Sequence, residues 1–420
     1  MDSEKMEMQK DSNEKRKKSG LGRGILFGIV GTLIAGSLLI GGVCNATGIQ
    51  IRLTRANRGQ GILDAKAQAK LNELLAYINA YYYDETEEEA LREGLYTGLV
   101  DSLGDVYSQY YNAEDYAQSQ VGVTGQYYGI GAGLSQDADT MMVSITKVYD
   151  GTPSQKAGLM VDDIVLSVDG TEASSMEVTE LVKLIRGEEG TTVHLEIYRA
   201  STEQQLSFDV ERANVTLPSI ASEMLDDNIG YLRIEAFEKE TAAQFETAFA
   251  DLEAAGMQSL IIDLRYNGGG LIDSAIKILD DILPEGLIVY TEDKAGNRME
   301  YKSRGETYID YPIAVLVNEN TASASEIFAG AIKDYNYGTI IGVTTYGKGI
   351  VQTLFPLSDG DAVKLTTAKY FTPNGNYIHG VGIEPDIELE YEYLNSDSEE
   401  YEMQYDNQIQ KAIEVLRNRE

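Results

Sequence analysis

The 420-residue sequence contains one cysteine, two histidines and no tryptophan. A single cysteine excludes a disulfide bond within the chain and a zinc site built from several cysteines. Histidine is the commonest metal ligand and the usual general base of enzymes. Because histidine is so scarce here, we expect no metal centre, and any general base has to be sought among other residue types.

Basic residues are also scarce: 34 lysines and arginines stand against 68 aspartates and glutamates, a formal net charge of -34. Nucleic-acid binding requires basic surface, so no nucleic-acid partner is expected. Gly342, Gly347 and Lys348 have the spacing of a phosphate-binding loop. However, Gly349 replaces the Ser or Thr that holds magnesium, and a strand-like run follows in place of a helix. We therefore predict neither a nucleotide nor any other cofactor.

One long apolar run lies near the N-terminus. Residues 1–23 are polar with a basic cluster, and residues 24–44 are uncharged and long enough to span a bilayer. Basic residues ahead of such a run favour a cytoplasmic N-terminus. We predict a single-pass membrane anchor, with the rest of the chain outside the cytoplasm. A cleaved signal peptide is the alternative, although Cys44-Asn45-Ala46 is a weak cleavage site.

Small side chains fill residues 320–325, between a strand-like run and a helical one. Ser323 and Glu326 have the spacing of a capping box, in which the serine only caps the helix. A serine at a strand-to-helix turn also suits a nucleophile, because free N–H groups at the helix start stabilise a developing negative charge. These residues alone leave both interpretations open.

A nucleophilic serine needs a general base, and the chain offers few. His194 lies in an alternating strand-like run and His379 in a glycine-rich turn, so neither is placed as expected for a Ser-His-Asp triad. Lysine is the base in known Ser-Lys variants. Lys348 is the candidate, since Gly347 and Gly349 beside it let another segment approach closely. An ordinary turn lysine is the alternative.

Three motifs in this order resemble the carboxyl-terminal processing (tail-specific) protease family. They are Asp-Leu-Arg-Tyr-Asn-Gly-Gly-Gly at 263–270, Thr-Ala-Ser-Ala-Ser-Glu-Ile at 321–327 and Gly-Lys-Gly-Ile-Val-Gln at 347–352. The resemblance runs from about residue 65 to the C-terminus. It implies that Ser323 is the nucleophile, that Lys348 is the general base and that Gln352 orients the lysine.

The resemblance also implies an oxyanion hole made of two backbone amides. One belongs to Ala324 and the other to Gly269, with its neighbour Gly268 as the second choice. Losing one such donor typically costs about 3 kcal/mol of transition-state stabilisation. The family usually shows Asp-Pro-His/Tyr-Ser after the second helix, whereas this chain has Asp-Val-Tyr-Ser at 105–108.

Residues 118–212 alternate short strands with one or two helices, and part of this region resembles a PDZ domain. Gly-Ile-Gly-Ala-Gly-Leu at 129–134 lacks the glycine spacing and the flanking elements of a dinucleotide site. It resembles a carboxylate-binding loop, and residues 154–170 strengthen the likeness. The resemblance implies that a substrate C-terminus adds as an edge strand and that backbone N–H groups hold its carboxylate. The implied loop residues are Gly129, Ile130, Gly131 and Ala132. A purely structural insert is the alternative.

Alternating strand-like and helical runs after residue 218 predict an α/β core, similar to the hydratase-like fold, into which the PDZ domain is inserted. The expected order is a cytoplasmic basic tail (1–23), a transmembrane anchor (24–44), a linker (45–63), an N-terminal helical region (64–117), the PDZ domain (118–212), the peptidase core (213–395) and a C-terminal helix (396–420). That last helix either packs on the core or forms a homodimer contact.

The expected activity is serine endopeptidase activity on protein or peptide substrates that are bound by their C-termini. For work near pH 7–8 the pKa of Lys348 must fall about 3 units below its reference value, a shift that burial can supply. Two other functions stay open. One is a membrane-anchored PDZ adaptor without catalysis, and the other is acyl-CoA chemistry, in which paired backbone amides hold a thioester oxygen.

Overall fold

The computed structural model describes residues 61–418, apart from residues 125, 139, 307–308 and 396–400. The predicted basic tail, the predicted anchor at 24–44 and most of the predicted linker lie outside the described residues. Among the helices of the described part, none is both long and apolar enough to cross a membrane.

The helices are α1 (Ala65–Tyr81), α2 (Glu88–Asp101), α3 (Ala113–Thr124), α4 (Pro153–Ala157), α5 (Val178–Ile185), α6 (Thr241–Ala254), α7 (Ile272–Ile282), α8 (Ala324–Asp334) and α9 (Asn407–Arg417). The strands between residues 109 and 216 are β1 (Gln109–Tyr111), β2 (Gln126–Gly129), β3 (Ala132–Gln136), β4 (Val143–Val148), β5 (Asp163–Val168), β6 (Thr171–Glu172), β7 (Thr192–Arg199), β8 (Gln204–Glu211) and β9 (Ala213–Thr216). The later strands are β10 (Ile220–Met224), β11 (Ile229–Ile234), β12 (Ser259–Asp263), β13 (Gly286–Asp293), β14 (Arg298–Ser303), β15 (Ile313–Val317), β16 (Gly338–Gly342), β17 (Ile350–Pro356), β18 (Ala362–Phe371) and β19 (Ile387–Glu388).

The C-terminal half is built on a six-stranded sheet in the order β10-β11-β12-β15-β16-β19. Only β10 runs antiparallel to its neighbour within this sheet; the other pairs are parallel. Every residue of β12, β15 and β16 is buried. Burial on both faces explains their nearly continuous apolar runs, and the predicted α/β core is confirmed.

Side chains alternate between the two faces of this sheet. Leu260 and Ile262 pack with helices α6, α7 and α8 on one face. Ile261, between them, packs with α9 on the other, as the two-residue period of a strand requires. Of the two roles predicted for the C-terminal helix, packing on the core is the one observed. The predicted homodimer stays a prediction.

A buried ion cluster ties α9 to the end of β12. The Arg265 guanidinium donates through Nη1 to Asp406 Oδ2 and Gln408 Oε1, both at 2.9 Å. Its Nη2 donates to Asp263 Oδ2 at 2.6 Å. Asp406 also caps α9 by accepting from the N–H groups of Gln408 and Ile409, each at 3.0 Å. The chain between β12 and α7 therefore leaves the sheet from a point fixed by the C-terminal helix.

A second, antiparallel sheet covers the end of the core. It has the order β1-β18-β13-β14, with β17 also paired to β18. Lys348 lies just before β17, and β1 comes from the N-terminal region. This sheet therefore brings the N-terminal region beside the lysine loop.

The inserted domain is a sheet in the order β3-β4-β5-β7-β8, with β6 on β5, closed over its own apolar core. It joins the rest through the antiparallel ribbon of β2 and β9. The predicted limits at 117/118 and 212/213 fall within α3 and at the start of β9.

Helices α1 and α2 form as the apolar spacing predicts, and the Asp64 carboxylate caps α1 by accepting from Ala67 N–H at 2.8 Å. Neither helix buries a residue against the described part of the chain. The spacing thus predicted the helices, but the apolar face of α1 has no partner within the described residues.

Candidate active site

Ser323 lies in the turn between β15 and α8, and its backbone is strained. Its φ is 58° and its ψ is -118°. A positive φ in a residue with a Cβ costs on the order of 1–3 kcal/mol and is found most often at functional sites. Helix α8 starts at the next residue, so its free N–H groups face the serine turn. The position fits the predicted nucleophile.

The fully buried Glu326 carboxylate connects the serine turn to the lysine loop. Its Oε2 accepts from Ser323 N–H at 2.9 Å and from Lys348 N–H at 2.7 Å. Its Oε1 accepts from Gly347 N–H at 2.7 Å and from the Thr345 hydroxyl at 2.6 Å. Burial raises the pKa of Glu326, and these four donors oppose that rise.

Glu326 therefore does more than its spacing predicted. The sequence indicated a residue that caps α8, and the backbone contact to Ser323 is the one expected for that role. The contacts to the lysine loop come from residues about twenty positions later, and nothing in the local spacing indicates them.

A second link between the two segments is the hydroxyl of Tyr370 on β18. Tyr370 is buried, and its hydroxyl is within hydrogen-bonding distance of the Ser323 carbonyl oxygen, at 3.1 Å, and of the Lys348 carbonyl oxygen. A phenol has one proton, so it donates to one carbonyl at a time. Tyr370 and Glu326 together fix the distance between the backbones of serine and lysine. Sequence reasoning missed Tyr370, which reads as an ordinary strand residue.

The Lys348 side chain is 1% exposed. Burial and, after it, the positive charge of Lys364 lower the pKa of its amine to about 8, against the opposing effects of Glu326 and Asp105. At pH 8 about half of the Lys348 amines are therefore neutral. The direction of the shift agrees with the shift that a lysine base requires.

The glycines beside Lys348 are needed for close packing. A Cβ on Gly349 would lie 2.6 Å from the backbone N of His379. Gly347 has a φ of 85°, and a Cβ there would lie 3.0 Å from the backbone N of Val381. The lysine loop therefore packs directly on the turn at 379–382, as the flanking glycines predicted.

Gln352 is 2% exposed and lies on β17. Its Nε2 is 3.5 Å from Thr366 Oγ1 on β18, a long hydrogen bond. Its predicted role in orienting Lys348 stays a prediction.

The glycine loop lies against the serine turn. A Cβ on Gly269 would be 2.8 Å from Ser323 Cβ and 2.9 Å from Ala324 N. Gly269 also has a φ of 101°, so both the close contact and the backbone conformation require glycine. The structure thus brings the predicted oxyanion loop to the predicted nucleophile.

The Gly269 amide itself does not fit its predicted role in this conformation. Its N–H donates to Asn267 Oδ1 at 2.8 Å, so it is not directed at a substrate oxygen. Between residues 61 and 418, where the chain is described, no hydrogen bond engages the N–H of Gly268 or of Ala324. Gly268 is therefore the better candidate for the loop donor, with Ala324 as the second.

The two histidines differ in position. His194 is on the surface, and its Nδ1 is 2.7 Å from Asp209 Oδ1 on the neighbouring strand, as its strand-like run predicts. His379 lies nearer the site than its turn suggested, because it packs on Gly349. Its buried Nδ1 has no hydrogen-bond partner among the described residues.

In the inserted domain, the predicted carboxylate-binding loop precedes an edge strand. Gly129 ends β2, Ala132 starts β3, and Ile130 and Gly131 form the turn between them. Strand β3 is at the edge of its sheet. A backbone hydrogen bond from Ser154 N–H to Ile130 O, at 2.8 Å, fixes the turn.

Helix α5 begins beside β3. The Gln136 side chain donates to Met176 O at 2.8 Å and accepts from Val178 N–H at 3.0 Å. The helix starts at Val178. An edge strand with a glycine turn at its start and a helix alongside is the arrangement that binds a peptide by strand addition.

The model of peptidase family S41 matches residues 228–389, and a PDZ-domain model matches residues 144–199. The carboxy-terminal processing protease CtpA of Bacillus subtilis is 37% identical over 323 residues, covering 76% of this chain and 68% of that protein. The carboxyl-terminal-processing protease of Synechocystis is 35% identical over 332 residues, covering 77% of each.

Among solved structures, the photosystem II D1 C-terminal processing protease superposes with a TM-score of 0.47 at 29% identity. The superposition covers 78% of this chain and 88% of that one.

Proposed function

The chain belongs to the carboxyl-terminal processing proteases of peptidase family S41, which are serine hydrolases with a PDZ domain, and from this premise we propose that Ser323 is its nucleophile and Lys348 its general base. The observation that carries the assignment is the Glu326 carboxylate. It accepts from the backbone N–H of both residues, at 2.9 and 2.7 Å, so that serine and lysine share one anchor.

In the proposed reaction, Lys348 in its neutral form takes the proton of the Ser323 hydroxyl as the oxygen attacks a substrate carbonyl carbon. The N–H groups of Gly268 and Ala324 hold the resulting oxyanion. The C–N bond then breaks, and Lys348 gives its proton to the departing amine. Water hydrolyses the acyl-enzyme with Lys348 again as base, and Ser323 regains its proton.

We propose that Gln352 orients the Lys348 amine without stabilising its protonated form. A carboxamide is neutral, so it can accept from an amine without favouring the ammonium form as strongly as a carboxylate does. Its position on β17, four residues after Lys348, and its burial support this role.

We further propose that the chain is anchored in the cell membrane by residues 24–44 and acts outside the cytoplasm. The apolar length of this run and the basic residues before it support the proposal. A protease placed there would meet substrate proteins after their export.

A fluorophosphonate probe tests the nucleophile. The full chain in mild detergent is expected to lose cleavage of an unfolded protein as the probe reacts, with one adduct mapped to Ser323 by mass spectrometry. Ser325, in the same motif but bonded to Asn267 O at 3.0 Å, serves as the internal control and should stay unmodified. A chain that cleaves the protein but stays unlabelled would overturn Ser323 as the nucleophile, whereas a chain that neither reacts with the probe nor cleaves the protein is the result expected of an acyl-CoA enzyme.

The PDZ domain is proposed to select substrates by their C-termini, with Gly129, Ile130, Gly131 and Ala132 as the binding loop. A peptide with an apolar C-terminus and a free carboxylate should bind at least tenfold more tightly than its amidated form, because loss of one hydrogen-bonded charge costs about 1.5–3 kcal/mol. Fluorescence anisotropy on the full chain measures both. Equal affinities would contradict carboxylate recognition.

A further inference from the structure

The turn at residues 105–108 reaches the lysine pocket, although it comes from the N-terminal region and lies outside the residues that the peptidase-family model matches. The centroid of the Tyr107 ring is 5.1 Å from Lys348 Nζ. The Tyr107 hydroxyl is 3.4 Å from that of Tyr346. The ring also meets the ring of His379 edge-on, with 6.2 Å between centroids. Tyr107 therefore forms one wall of the lysine pocket.

Hydrogen bonds fix this turn rather than leaving it as a free loop. Asp105 Oδ1 accepts from Tyr107 N–H at 3.0 Å, and Asp105 Oδ2 accepts from the Ser108 hydroxyl at 2.6 Å. Ser108 Oγ in turn accepts from Thr366 N–H on β18 at 3.1 Å. Strand β1, which follows, pairs with β18. The fold therefore sets where the Tyr107 ring lies.

The same contacts reach the neighbourhood of Gln352, whose amide is 3.5 Å from the Thr366 side chain. One residue of β18, Thr366, thus contacts the turn through its backbone and Gln352 through its side chain. A shift of the turn would therefore displace both the Tyr107 ring and, through Thr366, the Gln352 side chain.

A ring at this distance acts on the amine in two opposite ways. Its π-electrons favour the ammonium form, whereas its bulk excludes water and favours the neutral form. The pKa of Lys348 is lowered to about 8, and burial is the largest cause. The Tyr107 ring, 5.1 Å from Lys348 Nζ, is one of the groups that surround this buried amine.

Other titratable groups face this amine from several elements. Lys364 on β18 lowers the pKa of Lys348, whereas Glu326 on α8 and Asp105 in the turn raise it. The remaining groups around the pocket are Tyr346, Tyr370 and His379.

We propose that Tyr107 is a positioning residue of the peptidase reaction, which keeps water away from the Lys348 amine. The inference rests on the proposed role of Lys348 as general base. According to this proposal the peptidase core is not sufficient for full activity, because the residue that excludes water from the Lys348 amine comes from the N-terminal region.

The test compares Tyr107→Ala with Tyr107→Phe in the full chain in detergent, measuring kcat/KM from pH 6 to 10.5. In Tyr107→Ala, water reaches the amine, so the rising limb of the profile should move up by about one pH unit, which is about a tenfold loss at pH 7. Activity should recover at high pH. Tyr107→Phe keeps the ring and should keep the wild-type midpoint.

A second measurement does not depend on turnover. Competitive labelling of the Lys348 amine with trace acetic anhydride, mapped by mass spectrometry across the same pH range, gives its pKa directly. That pKa should rise in Tyr107→Ala and not in Tyr107→Phe. If Tyr107→Ala misfolds, Tyr107→Gln replaces it, with the same expected rise.

The proposal is overturned if the Ala and Gln variants leave the amine pKa and the profile midpoint unchanged, or lower the rate equally at every pH, as a merely structural role would. A wild-type chain that cleaves nothing at any pH would refute the proposed function instead. The labelling comparison would still decide whether Tyr107 shields the amine.

Discussion

A Lys348→Met chain is expected to cleave an unfolded protein about 1,000-fold more slowly than the wild type at pH 8, because the Ser323 proton then has no acceptor. Methionine fills much of the same pocket with an apolar side chain and without an amine. Initial rates of a fluorogenic protein substrate measure the loss, and thermal unfolding checks the fold.

The control for this variant is Lys369→Met, an exposed lysine on the neighbouring strand β18, which should keep the wild-type rate. The pH dependence gives a further check. Since the pKa of Lys348 is lowered to about 8 and only the neutral amine accepts a proton, wild-type activity should rise with pH, reach half of its maximum at about pH 8 and level off above that. A Lys348→Met chain with the wild-type rate would refute the assigned base.

Glu326→Gln is expected to reduce both activity and stability. The carboxylate accepts from donors on both of its oxygens, at 2.6 to 2.9 Å, whereas a carboxamide turns an NH2 group toward one pair of them. Each buried donor left without a partner costs about 1–3 kcal/mol, so the free energy of unfolding should fall by about 2–5 kcal/mol. A displacement between Ser323 and Lys348 of about 1 Å would lower kcat about 100-fold.

Chemical denaturation and steady-state kinetics measure the two effects separately. Glu384→Gln, at an exposed position between β18 and β19, is the matched control and should change neither quantity. If Glu326→Gln retained the wild-type kcat while losing stability, Glu326 would be a structural anchor only, and its shared contact with serine and lysine would not matter for catalysis.

Helices, strands and motifs that are encoded in one contiguous stretch of residues could be predicted from the sequence. The apolar runs of β12 and β15 indicated buried parallel strands, and every residue of both is buried. A C-terminal helix was predicted within residues 396–420, and α9 lies there with Ile409, Ala412 and Leu416 packed on the core. In the site, the motifs indicated Ser323 and Lys348, and the flanking glycines indicated a close approach that Gly349 makes on His379.

Contacts between distant segments could not be predicted in the same way. Tyr370 and Tyr107 read as strand and loop residues, yet both reach the lysine loop across the second sheet. The spacing of Ser323 and Glu326 predicted only that Glu326 caps helix α8, and not that it contacts the lysine loop. The Gly269 amide was predicted to serve the oxyanion hole, but the side chain of Asn267, two residues earlier, occupies it. Hydrogen-bond competition of this kind depends on side-chain rotamers that spacing does not specify.

The ion cluster around Arg265 affects when, during synthesis of the chain, the glycine loop can reach its final conformation. The guanidinium lies two residues before Asn267, and two of its partners, Asp406 and Gln408, are close to the end of the chain. A buried charge that lacks a partner costs about 3–5 kcal/mol. Asp406 follows Arg265 by 141 residues, so during synthesis the glycine loop is made long before two of the side chains that fix its start. The loop is therefore fully held only after residues 406–408 have left the ribosome and packed on the sheet.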